Sequence, residues 1–66
     1  MLLPEILPHQ GRYCEVTTRH GRFFGEFVRL SAMLFMVRSG WPVVRAASTV
    51  EADEIETISD LERPRW

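Results

Sequence analysis

The chain has few means of stabilising itself covalently or through a metal. Its 66 residues include a single cysteine, Cys14, so no internal disulfide can form. The histidine and cysteine side chains are His9, Cys14 and His20, and their spacing matches no common zinc motif, so we predict no metal and no cofactor. A domain of this size buries only about 60% of the surface that its unfolded chain exposes. We therefore expect oligomerisation to supply the missing stability.

Lysine is absent, since all eight basic residues are arginines. Residues 1–47 hold six arginines and three glutamates (+3), whereas residues 48–66 hold six acids and two arginines (−4), which together give the net charge of −1. Guanidinium groups suit planar recognition of phosphate or carboxylate. The asymmetry can steer a nucleic-acid partner, or it can let the acidic part of one subunit meet the basic part of the next.

Long apolar segments are also missing. No run reaches the 18 residues typical of a membrane span, and no basic region precedes a long hydrophobic stretch at the N-terminus. We therefore expect a soluble, cytoplasmic protein that has no membrane partner and keeps its thiol reduced.

The patterns predict one domain, residues 1–66, with a short helix followed by five strands. Pro4 suits the first turn of a helix within residues 1–10, and Pro8 ends it. The predicted strands are residues 13–18, 23–30, 33–38, 43–50 and 55–59, followed by an irregular tail at 60–66. Short connections favour an antiparallel meander. Such strands suit a small closed or nearly closed barrel, or an open curved sheet that is completed by another subunit.

For two of these strands the sequence predicts a specific structural feature. In the first strand Cys14, Val16 and Thr18 alternate with polar residues, which predicts that these three side chains face the core. In the second strand Gly25 indicates a bend or a close backbone approach.

The order of elements and the glycine spacing resemble the Sm-like (LSm/Hfq-like) family. Phe23, Gly25, Phe27, Leu30 and Leu34 fit the apolar and glycine positions of its first motif, and residues 50–55 align with its second. The resemblance covers residues 2–59. It implies an all-β fold with a short N-terminal helix and a strongly bent, five-stranded, antiparallel SH3-like barrel. It also implies a homo-oligomeric ring in which strand four of one subunit pairs with strand five of the next.

The positions that bind uridine in that family are replaced in this chain. Ser31 and Phe35 occupy the Asp and Asn positions of the first motif, and Glu51 and Ala52 occupy the Arg and Gly positions of the second. Phe35 could still stack on a base. Glu51 places an anion where the family keeps a cation, and phosphate would be repelled there. The resemblance therefore implies the fold and the ring rather than the uridine pocket.

The remaining candidates for nucleic-acid binding are Arg19, His20 and Arg22 around Gly21, together with Phe35. Two guanidiniums and an imidazole at one turn can meet phosphates, although a solvated turn with scattered charge explains the same residues. We expect the acidic side chains within residues 51–56 to form a solvated rim on the surface. No nucleophile, base and oxyanion donor come together in the pattern, so we predict no enzyme.

The surplus of apolar side chains favours a subunit interface in addition to a core. Strand four has small and β-branched residues that let another strand approach, although an ordinary central strand would look the same. The residues predicted at the interface are Val43, Val44, Ala46, Ile55 and Ile58. Trp41, at a turn tip, could bind a partner or fold back over the barrel.

The sequence thus favours an Sm-like, ring-forming protein associated with RNA or single-stranded nucleic acid. The first alternative is a homo-oligomeric structural or protein-interaction module that keeps the ring without RNA. The second is an unrelated SH3-like barrel that binds a protein partner.

Overall fold

A computed structural model describes residues 1–40 and 43–62, in which one short helix precedes five strands. The N-terminal segment consists of α1 (Leu3–Ile6) and a 3₁₀ turn (Leu7–His9), and a second 3₁₀ turn (Ala52–Glu54) links the last two strands. The strands are β1 (Tyr13–Thr18), β2 (Gly21–Arg29), β3 (Leu34–Ser39), β4 (Ala46–Glu51) and β5 (Ile55–Asp60). The hypotheses on Trp41 and on the tail from residue 63 onwards lie outside the described residues.

The five strands form one antiparallel sheet in the order β4-β3-β2-β1-β5. The prediction of one short helix and five antiparallel strands is therefore confirmed. Within residues 1–40 and 43–62 the sheet is not closed, because β4 pairs with β3 alone and β5 with β1 alone. A closed barrel is therefore not observed in this part of the chain, and the five strands form an open sheet. No helix among the described residues is long and apolar enough to cross a membrane.

The core lies on one face of the sheet, under the N-terminal segment. Cys14, Val16 and Thr18 are all buried, as their alternation predicts. The short helix docks through the fully buried Ile6, because one helical turn has too few hydrogen bonds to be stable alone. The other buried apolar residues are Phe27, Phe35, Val37, Val50, Ala52 and Ile55.

β2 is the longest strand, and it changes partner along its length. Residues 21–26 pair with β1, whereas residues 26–29 pair with β3. Next to this change of partner, a Cβ placed on Gly25 would overlap the backbone carbonyl of Arg38. The predicted close backbone approach at Gly25 is confirmed, and it explains why a residue without a side chain stands there.

The fourth strand is shorter than predicted. It begins at Ala46 rather than at Val43, because Arg45 N bonds to Ser39 O (2.8 Å) out of register with the ladder that follows. Val43 and Val44 therefore precede the strand as exposed residues.

Candidate functional site

The basic turn connects β1 to β2 and is held by a side chain beneath it. The hydroxyl of the buried Thr18 accepts a hydrogen bond from His20 N (3.0 Å) and donates one to Gly21 O (3.4 Å). Arg19, His20 and Arg22 are exposed. The structure thus brings these three predicted residues together on one turn.

The surroundings of this turn are acidic. Arg19 lines an open depression of about 570 Å³ whose other lining residues are Glu51, Asp53, Glu54 and Glu56. His20 Nε2 lies 3.5 Å from Oε2 of Glu54, one of these lining residues. Several carboxylates around one guanidinium and one imidazole repel phosphate and attract cations. The electrostatics of the turn therefore do not favour a nucleic-acid backbone.

Glu51 and Ala52 have structural roles at the positions where the resembling family keeps Arg and Gly. Glu51 N donates to Glu54 Oε1 (3.1 Å), and the Glu51 side chain accepts from the Glu54 backbone, which forms a capping box. Ala52 is buried, and its N–H bonds to Met33 O (2.8 Å). Glu51 and Ala52 therefore stabilise the turn between β4 and β5 instead of presenting a base-binding group.

Phe35 does not belong to an exposed site. Its side chain is fully buried and stacks on Phe27, with ring centroids 4.8 Å apart and an interplanar angle of 11°. The prediction that Phe35 stacks on a base is therefore wrong for this structure, since the ring has no accessible face. The neighbouring loop is folded by Arg29, which donates to the backbone carbonyls of Ser31 and Ala32, both at 3.1 Å.

The predicted interface residues fall into two groups. Val43 and Val44 are 67% and 43% exposed, and Ala46 is also exposed, so their side chains are accessible to a partner. Ile55 is buried and Ile58 packs against the core. These two isoleucine side chains pack within the subunit. β5 can therefore contribute to an interface mainly through its backbone.

Another cluster of chemically active side chains lies at the opposite end of β1, and we call it the clasp: His9, Arg12, Cys14 and Asp60. His9 Nδ1 donates to Asp60 Oδ1 (2.6 Å), and Arg12 donates to Asp60 Oδ2 (2.8 Å). The buried Cys14 Sγ lies 3.5 Å from the same Asp60 Oδ1 and 3.4 Å from Arg12 O, and its single hydrogen can be donated to either oxygen. The clasp ties the first 3₁₀ turn and β1 to the end of β5.

The clasp shifts the pKa of two of its members in opposite directions. Hydrogen bonds from His9 and then Arg12 lower the pKa of Asp60 to about 2. Burial, and then the hydrogen bond to Asp60, raises the pKa of Cys14 to about 12. The thiol is therefore protonated at neutral pH.

Sequence reasoning missed the clasp because no local signal marks it. His9, Cys14 and Asp60 are separated by up to 51 residues, and they meet only because Cys14 is directly opposite Asp60 in the β1–β5 pairing. That register is not visible in any short motif.

Neither a family model nor a curated protein nor a solved structure matches this chain.

Proposed function

We propose that this protein is a self-assembling, Sm-like β module in which the outer edge of β4 pairs with the outer edge of β5 in the next subunit. The open sheet carries this proposal: among the described strands, β4 pairs with β3 alone and β5 with β1 alone, and the N-terminal amino group of Met1 donates to Ile55 O (3.0 Å) only at the start of β5. Unpaired strand edges are templates for another chain. β4 contains neither lysine nor proline, two residues with which proteins often protect an edge.

The alternation of an antiparallel ladder identifies the backbone groups of β4 that point outwards. Ala52 N donates to Met33 O, which continues the β3–β4 register. Every second residue from there, including Val50, bonds to β3. The backbone groups of the intervening Ala47 and Thr49 therefore point away from the sheet.

The same reasoning applies to β5. Leu61 N donates to Tyr13 O (2.6 Å) in register with the β1–β5 ladder. Because bonded residues alternate in such a ladder, Thr57, Ser59 and Leu61 bond to β1. The backbone groups of Ile58 and Asp60 consequently point outwards.

The two edges match in spacing. Each offers two outward-facing residues that are separated by one, so an antiparallel pairing sets Ala47 opposite Asp60 and Thr49 opposite Ile58 of the neighbouring subunit. Each of these pairs would exchange two backbone hydrogen bonds, each worth about 0.5–1.5 kcal/mol. This register also brings Ala46 opposite Leu61, which is 38% exposed, so that exposed apolar surface is covered at one end.

A symmetric pairing of β4 with β4 is the main competitor, because Ala47 and Thr49 can also pair with each other across a two-fold axis. It would leave the edge of β5 unpaired. Pairing β4 with β5 leaves no unpaired edge once the array closes into a ring. We therefore favour the β4–β5 arrangement.

The first experiment measures mass in solution by light scattering at micromolar concentration. We expect an oligomer larger than a dimer, which dissociates in the Thr49→Pro variant because proline removes an outward N–H without breaking a bond within the subunit. Thr49→Val keeps that N–H and is the matched control, expected to stay oligomeric. A folded wild-type monomer would contradict self-assembly.

The second experiment distinguishes the two pairings by cross-linking. Ser48 is directly opposite Ser59 in the β4–β5 register, whereas it is opposite its own copy in the β4–β4 register. Under mild oxidation, the double variant Ser48→Cys, Ser59→Cys should form disulfide-linked species larger than dimers. The single variant Ser48→Cys should stay monomeric in denaturing gels. Disulfide-linked dimers of the single variant would support β4–β4 pairing instead.

Nucleic-acid binding, which the Sm-like resemblance also implies, receives less support from the geometry, because the basic turn lies beside acids and Phe35 is buried. Titration of labelled oligo-U and oligo-A at two salt concentrations tests it. Binding at low salt that is lost on replacing both Arg19 and Arg22 with Ala would establish that the turn binds RNA.

A further inference from the structure

Three side chains of the clasp have the donor atoms of a metal site. His9 Nδ1, Cys14 Sγ and an Asp60 carboxylate oxygen all lie within 4.8 Å of one another. They come from three elements, the first 3₁₀ turn, β1 and β5, so the fold itself assembles them. Nitrogen, sulfur and oxygen from His, Cys and Asp are the three ligand types that zinc takes in proteins.

The spacing is close to that of a tetrahedral centre. With zinc bond lengths of about 2.1 Å to N and O and 2.3 Å to S, tetrahedral ligand atoms lie about 3.4 Å (N to O) and 3.6 Å (S to O) apart. Cys14 Sγ is 3.5 Å from Asp60 Oδ1, and His9 Nδ1 is 2.6 Å from the same oxygen. The His9–Asp60 separation has to increase by less than 1 Å, and the third pair, His9 Nδ1 and Cys14 Sγ, lies within 4.8 Å, where the ideal centre has about 3.6 Å.

We propose that His9, Cys14 and Asp60 form a binding site for a borderline-soft divalent cation, with Zn²⁺ as the expected ion. The cation takes the place of the proton between His9 Nδ1 and Asp60 Oδ1. Binding moves the imidazole proton to Nε2 and releases the thiol proton of Cys14 to solvent, so that the metal bonds to a thiolate.

Charge and access are consistent with this site. One carboxylate and one thiolate neutralise a divalent ion in a partly buried location. Arg12 binds the other oxygen of Asp60 and orients the carboxylate from outside, as outer-shell partners do in metal sites. The side chains of His9 and Asp60 are 21% and 39% exposed, so an ion can enter, and a fourth ligand can come from solvent. The site does not depend on self-assembly.

Cobalt spectroscopy on the full chain tests the proposal, because Co²⁺ reports a bound thiolate by a near-ultraviolet charge-transfer band. Cys14 is the only cysteine, so such a band can come from no other residue. We expect the band to appear on titration of Co²⁺ and to disappear when Zn²⁺ is added. In His9→Asn and Asp60→Asn, the affinity should fall by more than the 10–100-fold that typically follows loss of an outer-shell partner.

His20→Ala is the matched control, because His20 lies outside the clasp, and its Co²⁺ affinity should equal that of the wild type. Absence of the band in the wild type would overturn the proposal, and so would an unchanged affinity in both clasp variants. If either variant is unfolded by circular dichroism, X-ray absorption of the zinc-loaded wild type decides. One sulfur and at least one imidazole in the zinc shell would support the site, and a shell without sulfur would refute it.

Discussion

His9 Nδ1 and Asp60 Oδ1 lie 2.6 Å apart and join the N-terminal 3₁₀ turn to the last strand across 51 residues of sequence. This contact holds the N-terminal segment in place over the core, where Ile6 and Cys14 are both fully buried. In a domain with a single small core, a long-range polar contact at the edge of that core affects the stability of the whole fold.

The first prediction concerns acid. The folded state holds the pKa of Asp60 at about 2, below its ordinary value of 3.8, so folding favours the ionised carboxylate. The corresponding stability is present above about pH 4 and is lost as the pH falls towards 2. We expect the free energy of unfolding of the metal-free protein, measured with urea, to fall over this interval.

Asp60→Asn should remove that part of the pH dependence, since an amide does not titrate, and the variant should be less stable than the wild type at neutral pH. Asp53→Asn, outside the clasp, serves as the control and should keep the wild-type profile. An Asp60→Asn profile that coincides with the wild type between pH 4 and 2 would show that the clasp does not form in solution.

The second prediction concerns the thiol. With the pKa of Cys14 at about 12 and the side chain buried, only about one thiol in 10⁴ is ionised at pH 8, so a thiol reagent should react only when the segment opens. We expect labelling at pH 8 to be far slower in buffer than in denaturant. His9→Ala should accelerate the reaction of the folded protein, whereas His20→Ala should not.

The same shift predicts a loss of stability in alkali. The folded state keeps the thiol protonated, so the contribution is complete below the ordinary thiol pKa of 9.0 and is lost as the pH rises towards 12. Chemical denaturation of the wild type and of Cys14→Ala across this range should differ in slope. Equal slopes would exclude a buried, protonated thiol.

The strands could be predicted from the sequence because local patterns specify them. β1 alternates strictly, and its bounds agree with the expectation, while Gly25 marked a close approach of the β2 and β3 backbones. The start of β4 could not be predicted, because Val43 and Val44 are as β-prone as the strand that follows. Their exclusion depends on the turn in which Arg45 N bonds to Ser39 O and the backbone of Gly40 lies against Val43 and Arg45.

The clasp could not be predicted from the sequence for a similar reason. Asp60 reads as one acid among several near the C-terminus, and only the pairing of β5 with β1 sets it beside Cys14. The role of Phe35 was also undetermined, since β3 carries apolar residues on both faces. Which face is buried depends on the other strands of the sheet.

The third prediction separates a core role of Phe35 from a binding role. Phe35→Ala removes a fully buried ring from a stacked pair and should cost about 3–5 kcal/mol of stability. Phe24→Ala, at a position that is 45% exposed, should change stability by about 0.5 kcal/mol or less. Thermal and urea unfolding measure both. A stable Phe35→Ala variant would contradict the buried stack.

The last prediction concerns the close approach of the β2 and β3 backbones at Gly25. In Gly25→Ala the new methyl group would overlap the Arg38 carbonyl, so the β2 and β3 backbones must separate, and we expect a loss of about 2–3 kcal/mol. Gly11→Asn is the matched control: a Cβ there meets nothing within 4 Å, and asparagine tolerates the left-handed backbone at φ 75°. Its cost should stay below about 1 kcal/mol. If both variants lose the same stability, the cost arises from glycine's backbone freedom rather than from the close approach of Gly25 to Arg38.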